Sequence, residues 1–345
     1  KWHNWLAGAT FITGANYFGY FGRYYYNRWR PIMGFGINDY VVNYGRRSFL
    51  YPDGTITTRQ YWEKRRALYS FITVPVQRHA FSLYYVFEDR QAESFLQPAE
   101  RAALTLGHFG GFTLGYGYND TENFPAGISP ENGRKIRLQG TIYNKHLGSS
   151  HDNEQVIFVG DWREFIRLWH HQVLAIRATG GMTWGDQLTQ GTFVVGGALG
   201  EGTLARQSSL TYFPLRGLPT SAFGATRAML MSVEYRFPIV SPQVGAGTWP
   251  FFIKNIHAAL FADYGDGWVA DQKSDDIGKF FDDFMLGVGA ELRGDFVIGH
   301  GLPVKGRLGY GVIVVNRDRL RGLKDPVFGQ AAKYGVVILE LGTSF

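Results

Sequence analysis

The stretch Ala228-Met229-Leu230-Met231-Ser232-Val233-Glu234-Tyr235-Arg236-Phe237-Pro238-Ile239 decides how the chain is read. Met229, Met231, Val233, Tyr235 and Phe237 fall on one face of an extended strand. Leu230, Ser232, Glu234 and Arg236 fall on the other. A period of two with charge on one side suits a strand standing between an oily exterior and a wet interior. Just before it, Leu215-Arg216-Gly217-Leu218 closes a Gly-rich segment, Gly185 to Ala225, in which alternation lapses. About 40 residues without a period is unusual in a compact domain, and such loops are commonly functional. A guanidinium enclosed by such a strand is costly unless it meets an acid. Glu234 is the nearest candidate.

Composition points the same way. The chain has 345 residues, with 45 Gly, 27 Phe, 20 Tyr and 9 Trp, and no Cys. Mean hydropathy is only −0.15. A helical membrane protein shows apolar runs of roughly 20 residues, and the sequence has none. Many aromatics and near-neutral hydropathy fit a transmembrane β-barrel, whose strands are apolar on alternate residues only. The competing reading, a soluble propeller, lacks the expected blade repeat. The net charge of +6, from 35 basic and 29 acidic residues, suits a basic lumen or contacts with lipid phosphate. It gives no argument for nucleic acid.

Taken in order, fourteen strands are expected. They run from Trp5 to Thr13, Tyr17 to Trp29, Ile32 to Tyr44, Ala67 to Val76, His79 to Glu88, Ala103 to Tyr118 and Lys135 to Lys145. Next come Val156 to Trp169 and Gln172 to Thr183. Beyond the long loop follow Arg227 to Pro238, Ile253 to Tyr264, Phe284 to Ile298, Val304 to Asn316 and Tyr334 to Phe345. Arg46 to Lys64, with Pro52-Asp53-Gly54, reads as a surface loop, as does Asn119 to Arg134. In Lys135 to Lys145 a polar row (Lys135, Arg137, Gln139, Thr141, Tyr143) alternates with Ile136, Leu138, Gly140, Ile142 and Asn144.

Other candidate chemistry is weak. His170-His171 reads as a short turn, because strand neighbours point to opposite faces. His79, His108 and His257 share no metal-ligand spacing. Asp161, Glu164, Asp282 and Asp283 are accompanied by no nucleophile or oriented base. Gly115-Tyr116-Gly117 and Gly287-Val288-Gly289 read as strand glycines beside aromatics, not phosphate loops. No catalytic residue, metal or cofactor is expected. Trp29, Trp62, Trp169, Trp184, Trp249 and Trp268 suit interfacial girdles.

Arg216-Gly217, Ser232-Val233-Glu234-Tyr235 and Phe261-Ala262-Asp263-Tyr264-Gly265 together resemble the barrel of the BamA-type superfamily, the bacterial surface-antigen barrels. The resemblance implies a single outer-membrane β-barrel domain over residues 1–345, all-β and antiparallel, with a long loop folded into the lumen. It implies a lumen latch in which Arg216 and Gly217 sit at the loop tip and Arg216 reaches Glu234 and Asp263. The usual aromatic after Arg-Gly is here Leu218. The end of the chain, Glu340-Leu341-Gly342-Thr343-Ser344-Phe345, is similar to the C-terminal signal of such barrels through Glu340, Gly342 and Phe345. The family has 16 strands, so either the first two lie upstream of Lys1, with any periplasmic domain, or the fourteen merge or miss a hairpin. Tyr25-Tyr26-Asn27-Arg28-Trp29-Arg30-Pro31 resembles the branch fused to a TolB-like propeller.

What the resemblance implies for function is insertion, assembly or translocation of polypeptides, without enzymatic activity. The implied partners are outer-membrane lipid and lipopolysaccharide, together with polypeptide clients or envelope proteins. A structural barrel or passive pore that anchors a periplasmic domain or a larger envelope complex stays open as the alternative.

Overall fold

The computed structural model describes residues 2–12, 16–50, 56–92, 100, 104–124, 127–150, 153–188, 191–198, 212–245, 247–269, 280–299, 301–320 and 334–343. Eighteen strands follow one another. They are β1 His3–Ile12, β2 Tyr17–Tyr26, β3 Ile32–Leu50, β4 Ile56–Val76, β5 His79–Ala92, β6 Gly107–Asn119, β7 Gly133–Tyr143, β8 Gln155–Arg167 and β9 Val173–Gly185. The short β10 Phe193–Val195, β11 Tyr212–Phe213 and β12 Phe223–Ala225 lie within the long loop. Then come β13 Arg227–Val240, β14 Val244–Gly245, β15 Phe251–Trp268, β16 Met285–Ile298, β17 Leu302–Val315 and β18 Val336–Thr343.

Fourteen of these form one antiparallel sheet in the order β1 to β9, β13, β15, β16, β17, β18, with β14 added to β15. The sheet is that of a β-barrel. Each main strand pairs with the main strand that follows it in the chain, so the side-chain period of two is locked around the barrel. Among the described residues no ladder joins β1 to β18. Their outer edges keep backbone N–H and C=O groups that belong to no sheet partner.

The two faces have inverted chemistry. Outward positions are apolar and exposed: Phe81 and Leu83 on β5, Phe112 and Leu114 on β6, Leu138 and Ile142 on β7, Met231 and Val233 on β13, Leu260 on β15, Leu308 on β17. Inward positions are charged and buried: Glu88 and Arg90 on β5, Glu234 on β13, Asp263 on β15, Glu291 on β16. A water-soluble sheet buries its apolar row, whereas a lipid-facing barrel does the reverse. No helix among the described residues is long and apolar enough to cross a membrane.

The segment 46–64 is a correction to the sequence reading. It is no loop over most of its length: β3 and β4 keep pairing from Asn43↔Trp62, past a register shift, to Leu50↔Ile56. A projecting hairpin is held by its backbone ladder and needs no apolar face, so its polar composition hid it. The strand expected from Ala103 begins at Gly107 instead, where φ of +111° ends the regular backbone.

Antiparallel order fixes which connections share an end. The turns after β2, β4 and β8 lie at one end with the 119–133 loop. The long loop between β9 and β13 enters from the other. Trp29, Trp169 and Trp249 are exposed at the turn end. His170 and His171, both at positive φ (51° and 60°), form the β8–β9 turn.

Candidate functional site

The long loop folds on itself before it reaches the barrel wall. β10 pairs parallel with β11 and antiparallel with β12, giving a three-stranded sheet. One side of it, with the residues that follow, buries Phe193, Val195, Phe213, Leu215 and Leu218 against Ile157 and Val159 of β8, Leu230 of β13, Met285 of β16 and Ile313 of β17. On the other side Val194 and Tyr212 pack on Tyr44 of β3 and Tyr61 of β4. The sheet thus reaches from the β3–β4 wall to the β13–β17 wall across the lumen. Burying each large apolar side chain contributes about 1.5–3 kcal/mol, so the loop is held by packing as well as by charge.

At its tip, Arg216 is 4 % exposed. Its Nε donates to Asp263 Oδ2 at 2.6 Å and its Nη2 to Asp263 Oδ1 at 2.5 Å, a bidentate fork. The Arg216 backbone N–H donates to the same carboxylate at 3.1 Å. Nη1 donates to Glu234 and, at 3.4 Å, to Glu291. Nη2 also donates to Ser232 Oγ at 2.9 Å. The guanidinium carbon stands 3.8 Å from the centre of the Phe261 ring, in cation–π position. Gly217 takes φ +97°, a left-handed conformation natural to glycine. Leu218 is buried with Leu215 in the loop's apolar core.

The carboxylates are shared further. Glu234 accepts from Arg236 Nε at 2.7 Å and from Arg293 Nη2 at 3.2 Å. Glu291 accepts from Arg293 Nη2 at 2.6 Å and Arg307 Nε at 2.7 Å. Arg307 Nη1 then donates to Glu340 at 3.1 Å. One ionic chain therefore runs from the loop tip through β13, β15, β16 and β17 to β18.

Of the residues singled out in sequence, Arg216, Gly217, Glu234 and Asp263 meet at one place. Glu340 belongs to the same network through Arg307. Gly342 pairs in register with Lys305, and Phe345 lies outside the described residues. Asp161 pairs with Arg163 and Arg177, and Glu164 with Arg134. Sequence reading missed Glu291, Arg293, Arg307 and Phe261. A signal for some of them exists: an acid followed two residues later by Arg, on one strand face. It occurs as Glu63/Arg65, Glu88/Arg90, Asp161/Arg163, Glu234/Arg236 and Glu291/Arg293. In every one of these pairs the Arg Nε donates to its own strand's carboxylate.

The sequence matches no family model and no curated protein. Solved structures do resemble the fold. CdiB from Acinetobacter baumannii superposes with a TM-score of 0.50 at 14% sequence identity, over 87% of this chain and 47% of that one. The fold is shared. The chain spans about half of CdiB's length. At this identity the likeness concerns backbone architecture, and the ionic network is read from this chain's own side chains.

Proposed function

We propose that the protein is an outer-membrane β-barrel of the BamA-like superfamily that inserts or translocates polypeptides, with the long loop latched in its lumen by Arg216. The observation that carries this is the loop tip: a buried guanidinium on an inward-folded segment, divided among acids of β13, β15 and β16. The exposed apolar belt supports placement in a bilayer, in contact with outer-membrane lipid and lipopolysaccharide. The likeness to CdiB supports the barrel fold on which this reading rests. The outer edge of β18, which pairs with β17 alone among the described residues, supplies the physical route. An extended client segment adding to such an edge completes the missing hydrogen bonds.

The passive-pore alternative fits less well, because the loop sheet packs on opposite walls. The test is conductance of the purified barrel in a planar bilayer, alongside client insertion into liposomes. Low, flickering conductance in the wild type, with a change in both readouts for Arg216→Ala, is expected. A large steady pore, indifferent to Arg216→Ala and with no client handling, would overturn the proposal.

A further inference from the structure

On the inner wall of β7, β8 and β9, three cations stand in one cross-strand row. Lys135 is opposite Arg163, and Arg163 is opposite Arg177. Like charges directly opposite one another on a sheet destabilise it. Asp161 answers two of them. Asp161 accepts from Arg163 Nε at 2.8 Å and from Arg177 Nε at 2.7 Å. A fourth cation, Arg137, is in register with Asp161, yet its side chain makes no ion pair or hydrogen bond among the described residues. It is also exposed. Its strand neighbours Leu138 and Ile142 face outward, and Thr141, on Arg137's own face, is buried. Arg137 therefore projects into the lumen, and its exposure is to lumen water.

The next acids are already engaged. Across Ser232 from Arg177 lies Asp263, which holds Arg216. At the turn end, Glu131 pairs with Arg167 and His171. The patch lies just below the apolar underside of the loop, whose floor on β8 is Ile157 and Val159. It lies in the short-turn half of the wall: β7 begins at Gly133, and Lys135 and Arg137 are in its first turns of pleat.

We infer that Lys135, Arg137, Arg163 and Arg177 receive an acidic segment of a polypeptide entering the lumen from the short-turn end. This rests on the polypeptide-handling function proposed above and names the client chemistry. Charge complementarity fixes the class of occupant, since Arg163 and Arg177 share one carboxylate and the Arg137 side chain beside it holds none among the described residues. The inward face excludes lipid headgroups, which lie against the opposite face of the sheet. The wall itself shows how this lumen binds carboxylates, through Arg forks such as Arg177 on Asp161. A client's Asp or Glu side chains would meet Arg137 in the same way. Such a surface draws an acidic chain in and orients it.

The experiment uses the purified chain in detergent and a fluorescent Glu-rich peptide, with the same peptide carrying Gln for Glu as control. Saturable, salt-sensitive binding of the acidic peptide alone is expected. The variant Lys135→Gln/Arg137→Gln should weaken it by about tenfold. Arg137→Gln alone, which breaks no ion pair among the described residues, should weaken it in the same direction. Unchanged heat-dependent electrophoretic mobility would verify that the barrel is folded. Equal binding of both peptides, or wild-type affinity in both variants, would overturn the inference. Competition by inorganic phosphate at far lower concentration than the peptide would also overturn it, in favour of a small-anion site. Client insertion measured in parallel separates the two claims. Client handling that ignores acidic charge sinks the patch alone, whereas selective acidic-peptide binding without client handling sinks the proposed function and leaves the patch.

Discussion

The carbonyl oxygen of Arg216 occupies the place a side chain on Gly287 would need: a Cβ there would stand 2.1 Å from it. The loop tip is seated on a glycine floor. A Cβ on Gly311 would meet the Gly217 nitrogen at 2.8 Å. Gly287→Ala should therefore lift the tip from β16, costing about 1–3 kcal/mol as overpacking does. A lowered melting temperature and loss of amide protection at Arg216 and Gly217 are the expected readings. Wild-type values for both would show that the tip is not held there.

Arg216→Ala leaves Asp263, Glu234 and Glu291 facing one another without their shared cation. Breaking a buried pair in this way costs roughly 3–5 kcal/mol. Arg216→Lys should recover only part of it, because an ammonium cannot fork onto Asp263. A double-mutant cycle with Asp263→Asn, read by thermal unfolding in detergent, should give a combined loss smaller than the sum of the two. Additive losses would mean the two groups act independently.

The outward belt makes a prediction about solvent. Leu114→Arg or Leu260→Arg, at exposed positions on β6 and β15, should cost about 2–4 kcal/mol in a lipid bilayer if they lie near its midplane. The measurement is reversible unfolding in liposomes. Neutral effects at both positions would argue that this face does not meet hydrocarbon.

Asp120, in the loop after β6, accepts from the Arg134 backbone N–H at 2.6 Å and from Tyr118 Oη at 2.8 Å. The Arg134 hydrogen bond, with the Tyr118 hydroxyl and nearby Arg78 and Arg134 charges, holds its carboxyl below the usual range. A depressed carboxyl pKa stabilises the fold above the unfolded value, and that contribution is lost as pH falls through the folded value. The 119–133 loop should thus loosen below the ordinary carboxylate range of about pH 3.9. Amide exchange at Arg134 checks this. The acid sensitivity should vanish in Asp120→Asn, and its persistence there would assign it to another group.

Arg307 ties β17 to Glu340 on β18 at 3.1 Å. Glu340→Gln should raise amide exchange along Val336–Thr343 more than along β13. Equal protection in variant and wild type would mean the ladder alone holds the last strand.

Much of the architecture was readable in the sequence, because a half-apolar strand leaves a period of two that few other structures share. The fourteen paired strands all have counterparts in the sequence reading. The β3–β4 projection escaped because Arg46, Arg47, Arg59 and Gln60 pair through backbone, with no apolar row to betray it. The loop sheet escaped for a different reason. Strands of two or three residues, such as Tyr212–Phe213, are too short to show any period. At the ion network, Arg216, Glu234 and Asp263 were found through a resemblance. Glu291 and Arg307 were not, since sequence alone does not say which strands will be neighbours. The Glu291/Arg293 spacing was the clue left unused.

The acid-then-Arg couples have a consequence for how the barrel can be built. Each couple neutralises itself on a single strand, as Glu88 does with Arg90. A hairpin arriving at a half-finished cylinder thus carries its own counter-charge and need not wait for a neighbour to cancel it. Cross-strand links such as Arg293 to Glu234 are then added to it as the ring grows, so the five couples enter the closing cylinder already balanced.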